Sequence, residues 1–247
     1  MRIFLLFLII FFISCSGKLA VKPVETFDPE KAFAKANEQI DKKEYEEARA
    51  TLLEIKNRDM SKKIAPLAQL RIADSYVKEG EPELAVAEYQ RFLEIYPDHR
   101  YASYAQYQIA MTYFNQIESA DRGYSGAAKA IEEFEKLKKM FPRNPYRDVI
   151  DIRIEKCRNT IADYEFLVGE FYYKKGSYNA ALGRFEELMK KNPDYKKEVD
   201  VLYRIGMCYK NLGQKDKAEE YLNRLIAKYP NDLLSANAKK ELATIRP

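Results

Sequence analysis

Residues 164–193 read YEFLVGEFYYKKGSYNAALGRFEELMKKNP, and the spacing of small, aromatic and aliphatic residues before the closing proline decides the fold. The same spacing recurs in two other segments of the chain. The matched positions are Ile72, Ala73, Tyr76, Ala85, Tyr89, Phe92 and Pro97 in one segment, Val168, Gly169, Tyr172, Ala181, Phe185, Leu188 and Pro193 in the quoted one, and Ile205, Gly206, Tyr209, Ala218, Leu222, Leu225 and Pro230 in the last. Such a recurrence indicates a repeated pair of amphipathic helices.

This pattern is typical of the tetratricopeptide repeat. A small residue at Ala73, Gly169 or Gly206 allows a close approach where the first helix of each pair crosses the second. The proline ends the second helix because it lacks a backbone N–H and clashes with the preceding turn. We therefore predict an all-α fold, a right-handed α-solenoid of about five tetratricopeptide repeats.

Two further copies of the repeat are modified. The copy that closes at Pro142 keeps the pattern but has a longer stretch between its two helices, which predicts an insertion at about Asp121 to Ala128. The earliest copy contains the matching residues Ala36, Ala48, Leu52 and Ile55. In place of the closing proline it reads Asn57-Arg58-Asp59-Met60, which indicates a worn N-terminal cap.

A long helix is predicted to join the third copy to the fourth, because apolar residues recur there at helical spacing. These residues are Val149, Ile152, Ile154, Cys157 and Ile161. Residues 233–245 are interpreted as a capping helix, since a solenoid must cover its last apolar face. The repeats then divide into an N-terminal half, residues 29–142, and a C-terminal half with its cap, residues 143–247.

The N-terminus carries an apolar run, Ile3 to Ile13, closely followed by Cys15. A membrane-spanning helix needs about 20 apolar residues, so this run is too short to span a bilayer. The segment resembles a bacterial lipoprotein signal, although Phe12 stands where leucine is most common; an uncleaved anchor and an ordinary secretory signal are the alternatives. We predict that residues 1–14 are a signal peptide, that Cys15 is lipidated, and that residues 15–28 form an extended tether.

Composition argues against several classes of function. The chain has 42 basic and 38 acidic residues without a Lys/Arg-rich run, so we predict no nucleic-acid partner. His99 is the only histidine, and no CxxC, HExxH or Gly-rich phosphate motif occurs. We therefore predict a protein that is not an enzyme and that has no cofactor and no metal site. Cys157 and Cys208 are interpreted as buried free thiols, with a disulfide between them as the alternative.

The concave surface of the predicted solenoid is the candidate binding groove. Certain positions of the first helix in each repeat line this groove in tetratricopeptide proteins. In the N-terminal half the candidate residues are Phe33, Leu70, Tyr104, Tyr107, Met111 and Phe114. We hypothesise that they hold an extended peptide with aromatic side chains. The alternative is that they are core residues between neighbouring helices.

The chain resembles the BamD (YfiO) family, the tetratricopeptide lipoproteins of the outer-membrane β-barrel assembly machinery. The most specific stretches are Tyr164-Glu165-Phe166 and Glu170-Phe171-Tyr172-Tyr173, followed by Gly176, Ala180-Ala181, Arg184 and Pro193. The order of the helices and the long connecting helix also match. The resemblance covers nearly the whole chain after the signal.

The resemblance implies a function and a set of partners. It implies that the N-terminal repeats bind unfolded outer-membrane β-barrel proteins. It also implies that the C-terminal repeats dock the periplasmic domains of the barrel-forming assembly protein, beside other assembly lipoproteins, with Arg184 as an ion-pairing contact. The implied location is the periplasmic face of the outer membrane, with the lipid on Cys15 as the anchor. The alternative is another periplasmic repeat adaptor, either a pilotin-like lipoprotein of secretin assembly or an envelope-division coordinator.

Overall fold

A computed structural model of the chain describes residues 27–117 and 124–245, and these residues form eleven α-helices. The helices are α1 (Pro29–Asp41), α2 (Tyr45–Arg58), α3 (Ala65–Glu79), α4 (Pro82–Ile95), α5 (Ala102–Asn115), α6 (Tyr124–Met140), α7 (Arg147–Lys174), α8 (Tyr178–Lys191), α9 (Glu198–Asn211), α10 (Lys215–Lys228) and α11 (Leu233–Ile245). The predicted signal peptide, Cys15 and most of the tether lie outside the described residues. Within the described ranges, no helix combines the length and the apolar character needed to cross a bilayer.

Packing follows chain order. Each helix contacts the next one along the chain, from α1 with α2 to α10 with α11, and α11 also contacts α9. The buried apolar residues form four clusters that follow one another along the chain. This arrangement of neighbouring contacts is that of a solenoid, and it confirms the predicted all-α tetratricopeptide fold.

The small residues lie where the paired helices cross, as predicted. A Cβ atom added to Gly169 would be 2.5 Å from Cε1 of Phe185, and one added to Gly206 would be 2.7 Å from Cδ2 of Leu222. These distances are well inside van der Waals contact. The absence of a Cβ therefore sets how closely α7 approaches α8 and α9 approaches α10.

The prolines also act as predicted. The second helix of each later repeat ends shortly before its proline, because the residue preceding a proline is disfavoured in the helical conformation. Thus α4, α6, α8 and α10 end before Pro97, Pro142, Pro193 and Pro230 respectively.

Asp59 takes over this role in the first repeat, which lacks the proline. Its backbone caps the C-terminus of α2, and its buried carboxylate accepts hydrogen bonds from the backbone N–H groups of Ile64 (2.6 Å) and Ala65 (2.9 Å) at the start of α3. Burial raises the pKa of Asp59, but the hydrogen bonds from Ser61, Ala65 and Ile64 outweigh burial and hold that pKa below its ordinary value. The supposedly worn end of the repeat is thus a hydrogen-bonded connection.

The predicted insertion in the third repeat is only partly a loop. Helix α6 begins at Tyr124, so the second half of the stretch assigned to the loop extends this helix, while residues 118–123 lie outside the described residues. Gly126 is the physical reason, since a Cβ at this position would be 3.2 Å from the backbone oxygen of Tyr113 on α5. The small residues Gly126 and Ala127 let the added turn pack closely against α5.

The predicted joining helix is not separate from the fourth repeat. Helix α7 runs without interruption into the first helix of the fourth repeat. Its first half contributes Ile150, Ile154 and Cys157 to the cluster shared with α6, and its second half contributes Ala162 to the cluster shared with α8. One helix, which lies within residues 143–247, therefore packs against repeats of both halves of the solenoid.

The two cysteines and the last helix behave as predicted. Cys157 and Cys208 are buried free thiols, and burial raises the pKa of Cys157 to about 11 and that of Cys208 to about 12.

Helix α11 buries Ala238 and Ile245 in the last core cluster. It therefore caps the end of the solenoid.

Candidate docking surfaces

The six predicted groove residues lie in three successive core clusters. Tyr107, Met111 and Phe114 pack against the cluster that contains Phe134. Leu70 and Tyr104 belong to the preceding cluster, and Phe33 to the first one. The structure therefore brings Tyr107, Met111 and Phe114 together and separates the other three from them.

Tyr104 and Leu70 have structural partners. The hydroxyls of Tyr104 and Tyr89 both donate to Oδ1 of Asp74, at 2.9 and 2.5 Å. Burial, and then the nearby Asp74 carboxylate, raise the pKa of Tyr104 above its ordinary value. Leu70 is buried in the core, where a ligand on the surface does not reach it. These contacts agree with the alternative interpretation of the two residues as packing positions.

Tyr107 and Phe114 form an aromatic surface, and two cationic side chains of α7 lie over their rings. The Tyr107 ring stacks on that of Tyr146, with ring centroids 3.8 Å apart. The guanidinium of Arg153 lies 5.6 Å from the centroid of Tyr107 and 5.8 Å from that of Phe114. Lys156 Nζ is 5.2 Å from the Phe114 centroid, so both cations are close enough for cation–π attraction.

An open apolar depression of about 290 Å³ lies beside this cation-covered surface. It is lined by Phe114, Val149, Ile152, Arg153 and Lys156. Ile152 is largely exposed, and Val149 is partly so. The combination suits an apolar side chain that is accompanied by a negative charge. We call these five residues the N-terminal depression.

Arg184 lies on α8 and is half exposed. Its Nη1 donates to Oε2 of Glu165 at 3.1 Å, which fixes the guanidinium beside α7. A guanidinium has five N–H donors, so this hydrogen bond leaves further donors for a carboxylate on a partner. Arg184 therefore has the chemistry that its predicted contact role requires.

A second depression, of about 400 Å³, lies between Arg184 and α7. It is lined by Tyr164, Leu167, Val168, Phe171, Tyr172 and Arg184. Leu167 is 49% exposed and Phe171 is 56% exposed. We call this surface the C-terminal depression. The repeat spacing and the family resemblance identify these aromatic residues but do not predict that they line a surface depression.

A neighbouring face of α7, beside Leu167, is occupied by internal contacts. Asp163 accepts hydrogen bonds from the hydroxyl of Tyr195 (2.7 Å) and from Nζ of Lys196 (2.9 Å). Glu170 accepts from the guanidinium of Arg204 on α9. These pairs connect α7 to the fifth repeat, so they have a structural role.

His99 lies between α4 and α5, against the rings of Phe92 and Tyr101. Its Nδ1 accepts a hydrogen bond from the backbone N–H of Tyr101 at 3.3 Å. Burial, and then Arg100, lower the pKa of His99 below its ordinary value. In the part of the chain that the structure describes, no group of His, Cys, Asp and Glu side chains is arranged to hold a metal ion.

Stacked helix pairs with apolar, cation-edged depressions on one long helix define a repeat protein of the scaffold class. The chain belongs to the YfiO family, described as outer membrane lipoprotein, whose sequence profile matches residues 25–224. This match confirms the resemblance drawn from the sequence.

Individual relatives agree with this assignment. The chain is 29% identical over 192 residues to "Outer membrane protein assembly factor BamD" of Rickettsia prowazekii (strain Madrid E), covering 78% of this chain and 76% of the relative. It is 23% identical to the protein of the same name from Caulobacter vibrioides, covering 88% and 72%. Among solved structures it is similar to the TPR2AB domain of yeast Sti1 in its pHSP90 complex, with a TM-score of 0.48, 17% identity, and coverage of 88% and 86%.

Proposed function

We propose that this chain is a scaffold lipoprotein that assists the assembly of β-barrel proteins into the outer membrane. It acts by binding alone, without catalysis. The observation that carries the proposal is the family match over residues 25–224, which spans α1 to α9 and most of α10. The names of the relatives, which describe outer membrane protein assembly factors, support the same process.

The lipid on Cys15 is proposed to hold the chain at the periplasmic face of the outer membrane. Two or three acyl chains give nearly permanent attachment, since each buried methylene contributes about 0.8 kcal/mol. Replacing Cys15 with Ala should remove labelled fatty acid from the chain and release it from membrane fractions. Retention of the label in that variant would contradict the anchor.

The C-terminal half, residues 143–247, is proposed to dock the periplasmic domains of the barrel-forming assembly protein next to other assembly lipoproteins. Arg184 is the proposed ion-pairing contact. We expect Arg184→Glu to weaken capture of that protein from solubilised envelopes, because the substitution repels a partner carboxylate. Arg224→Glu on α10 is the matched control, since Arg224 is similarly exposed and also lies beside a glutamate. Equal capture by wild type and Arg184→Glu would contradict the contact.

The N-terminal half, residues 29–142, is proposed to bind unfolded barrel proteins, with the N-terminal depression, where Phe114 of this half meets the start of α7, as the contact for aromatic side chains. This surface combines exposed apolar groups with two cations. We expect the double variant Phe114→Ser with Ile152→Ser to lose binding to peptides from barrel proteins. Leu53→Ser, an exposed leucine on α2, is the control. Unchanged affinity of the double variant would reject the role of this surface.

A further inference from the structure

In the second, third and fifth repeats, two positions of the first helix are buried. They lie five residues before and two residues after the small residue at the helix crossing. The pairs are Ala68 and Ser75 on α3, Ala105 and Thr112 on α5, and Val201 and Cys208 on α9, and all six are buried. The second helix of the preceding repeat covers them, as Arg49 of α2 shows by reaching Oγ of Ser75 at 3.4 Å.

In α7 the same two positions are Tyr164 and Phe171, and no second helix among the described residues covers both of them. The preceding second helix, α6, packs instead on the first half of α7, around Ile154. Only the start of α6 reaches this region, where the ring of Tyr124 lies 5.1 Å from that of Tyr164. The length of α7 therefore leaves a position for one helix uncovered, with Leu167 between the two aromatic residues.

The first repeat shows which residue types occupy these two positions when they are exposed to solvent. Among the described residues no repeat precedes α1, and its two residues are Lys31 and Glu38, whose side chains are 87% and 66% exposed. The fourth repeat instead places tyrosine and phenylalanine at the uncovered positions. Contiguous exposed apolar groups of this kind mark an interaction site.

We propose that an amphipathic helix of the docking partner occupies this position on α7, in place of the missing second helix. The inference rests on the proposed docking at Arg184 and names the element of the partner that binds there. The partner helix presents apolar side chains at intervals of three and four residues to Tyr164, Leu167 and Phe171. Helices pack by this interdigitation of side-chain ridges.

The charges at the edges of the C-terminal depression specify the partner helix further. Lys175 Nζ lies 5.7 Å from the centroid of Phe171. Arg184 lies at the opposite edge, with Glu165 as its carboxylate partner. A helix with acidic residues beside its apolar stripe complements both cations.

The geometry argues against two other occupants. An extended strand would need an open sheet edge for its backbone hydrogen bonds, whereas the backbone of α7 is bonded within the helix. A second copy of this chain would bring a second cationic edge, carrying Lys175 and Arg184, to the same surface. Like charges at close range oppose that arrangement.

The first experiment measures affinity. We expect Leu167→Ser with Phe171→Ser to lower the affinity of the full chain for the periplasmic domains of the barrel-forming assembly protein by about tenfold or more. Leu53→Ser with Ile95→Ser is the control, because these side chains are equally exposed but lie on other helices. Circular dichroism verifies that both variants fold. Unchanged affinity of the Leu167 and Phe171 variant would overturn the inference.

The second experiment identifies the occupant. A photoreactive analogue in place of Phe171 should crosslink to partner residues three, four and seven positions apart, which is the pattern of a helix. Crosslinks to alternate residues would indicate a strand, and crosslinks to another copy of this chain would indicate self-association. Either result would overturn the inference.

The two proposals fail differently. If Arg184→Glu loses binding while the Leu167 and Phe171 variant retains it, the helix is excluded and the docking role stands. If only the serine variant loses binding, the helix position stands and the Arg184 contact fails. If both variants retain full binding, docking on this surface fails altogether, and the helix inference fails with it.

Discussion

Two of the helix crossings depend on glycine, which has no side-chain carbon. Gly169 and Gly206 stand where a Cβ would overlap the side chain of the opposite helix. Phe185 fills its site with a rigid ring, whereas Leu222 has a flexible side chain that can move. The free energy of unfolding should therefore respond more strongly to a methyl group at Gly169 than at Gly206.

We predict that Gly169→Ala lowers the free energy of unfolding by about 1 to 3 kcal/mol, because the added methyl group overpacks the crossing of α7 and α8. Gly183→Ala is the control. Gly183 lies inside α8 with open space around it, so alanine there should raise stability by up to about 1 kcal/mol through helix propensity. Urea denaturation measures both effects. Equal stability changes in the two variants would contradict the close crossing.

Asp59 makes the stability of the first repeat depend on pH. Its folded-state pKa lies below the ordinary value of 3.8, so its contribution is present above that value and is lost as the pH falls through the folded pKa. Asp59→Asn should cost about 1 kcal/mol at pH 7 and less at acid pH. Urea unfolding at pH 7 and pH 3 tests this, with the exposed Asp41→Asn as control. A cost that is the same at both pH values would show that charge is not involved.

The sequence predicted the structural role of the small residues at the helix crossings, but it did not predict the role of Asp59. The small residues at the crossings were found because the pattern repeats in several copies. The connection made by Asp59 was missed because it occurs once, and because its hydrogen bonds reach the start of the next helix. The proline pattern does not identify a carboxylate that connects the end of one helix to the next helix through hydrogen bonds.

Among the elements, α7 departs most from a regular repeat. The sequence indicated its length through the apolar spacing of Ile154, Cys157 and Ile161. It did not indicate which face of the second half lacks a neighbour, because that depends on how far α6 reaches along α7. The exposure of Leu167 and Phe171 is therefore a property of packing, and no periodicity in the chain encodes it.

Helix α11 is expected to stabilise the solenoid by capping its last repeat. It buries Ala238 and Ile245 against the last repeat, and Lys210 on α9 pairs with Glu241. We predict that removing residues 233–247 lowers the denaturation midpoint and increases binding of an apolar dye, since the face around Leu225 becomes exposed. Removing only 246–247 is the control. A truncated chain with the midpoint of the wild type would show that the last repeat needs no cover.

Across the solenoid, the predicted groove residues are distributed over successive repeats. The six candidate residues follow the axis of the solenoid through three core clusters, and internal packing occupies several of them. Open apolar surface lies along α7, in an N-terminal and a C-terminal depression. Repeat spacing located the helices correctly, but the irregular third and fourth repeats determine which surfaces remain available.

Crosslinking of native envelopes with an amine-reactive reagent, followed by mass spectrometry, tests docking at the C-terminal depression most directly. The account predicts that Lys175, beside Phe171, crosslinks to the periplasmic domains of the barrel-forming assembly protein. Lys42, exposed at the end of α1, should show no such crosslink. Crosslinks from Lys42 and other lysines of the first repeat, with none from Lys175, would contradict the account.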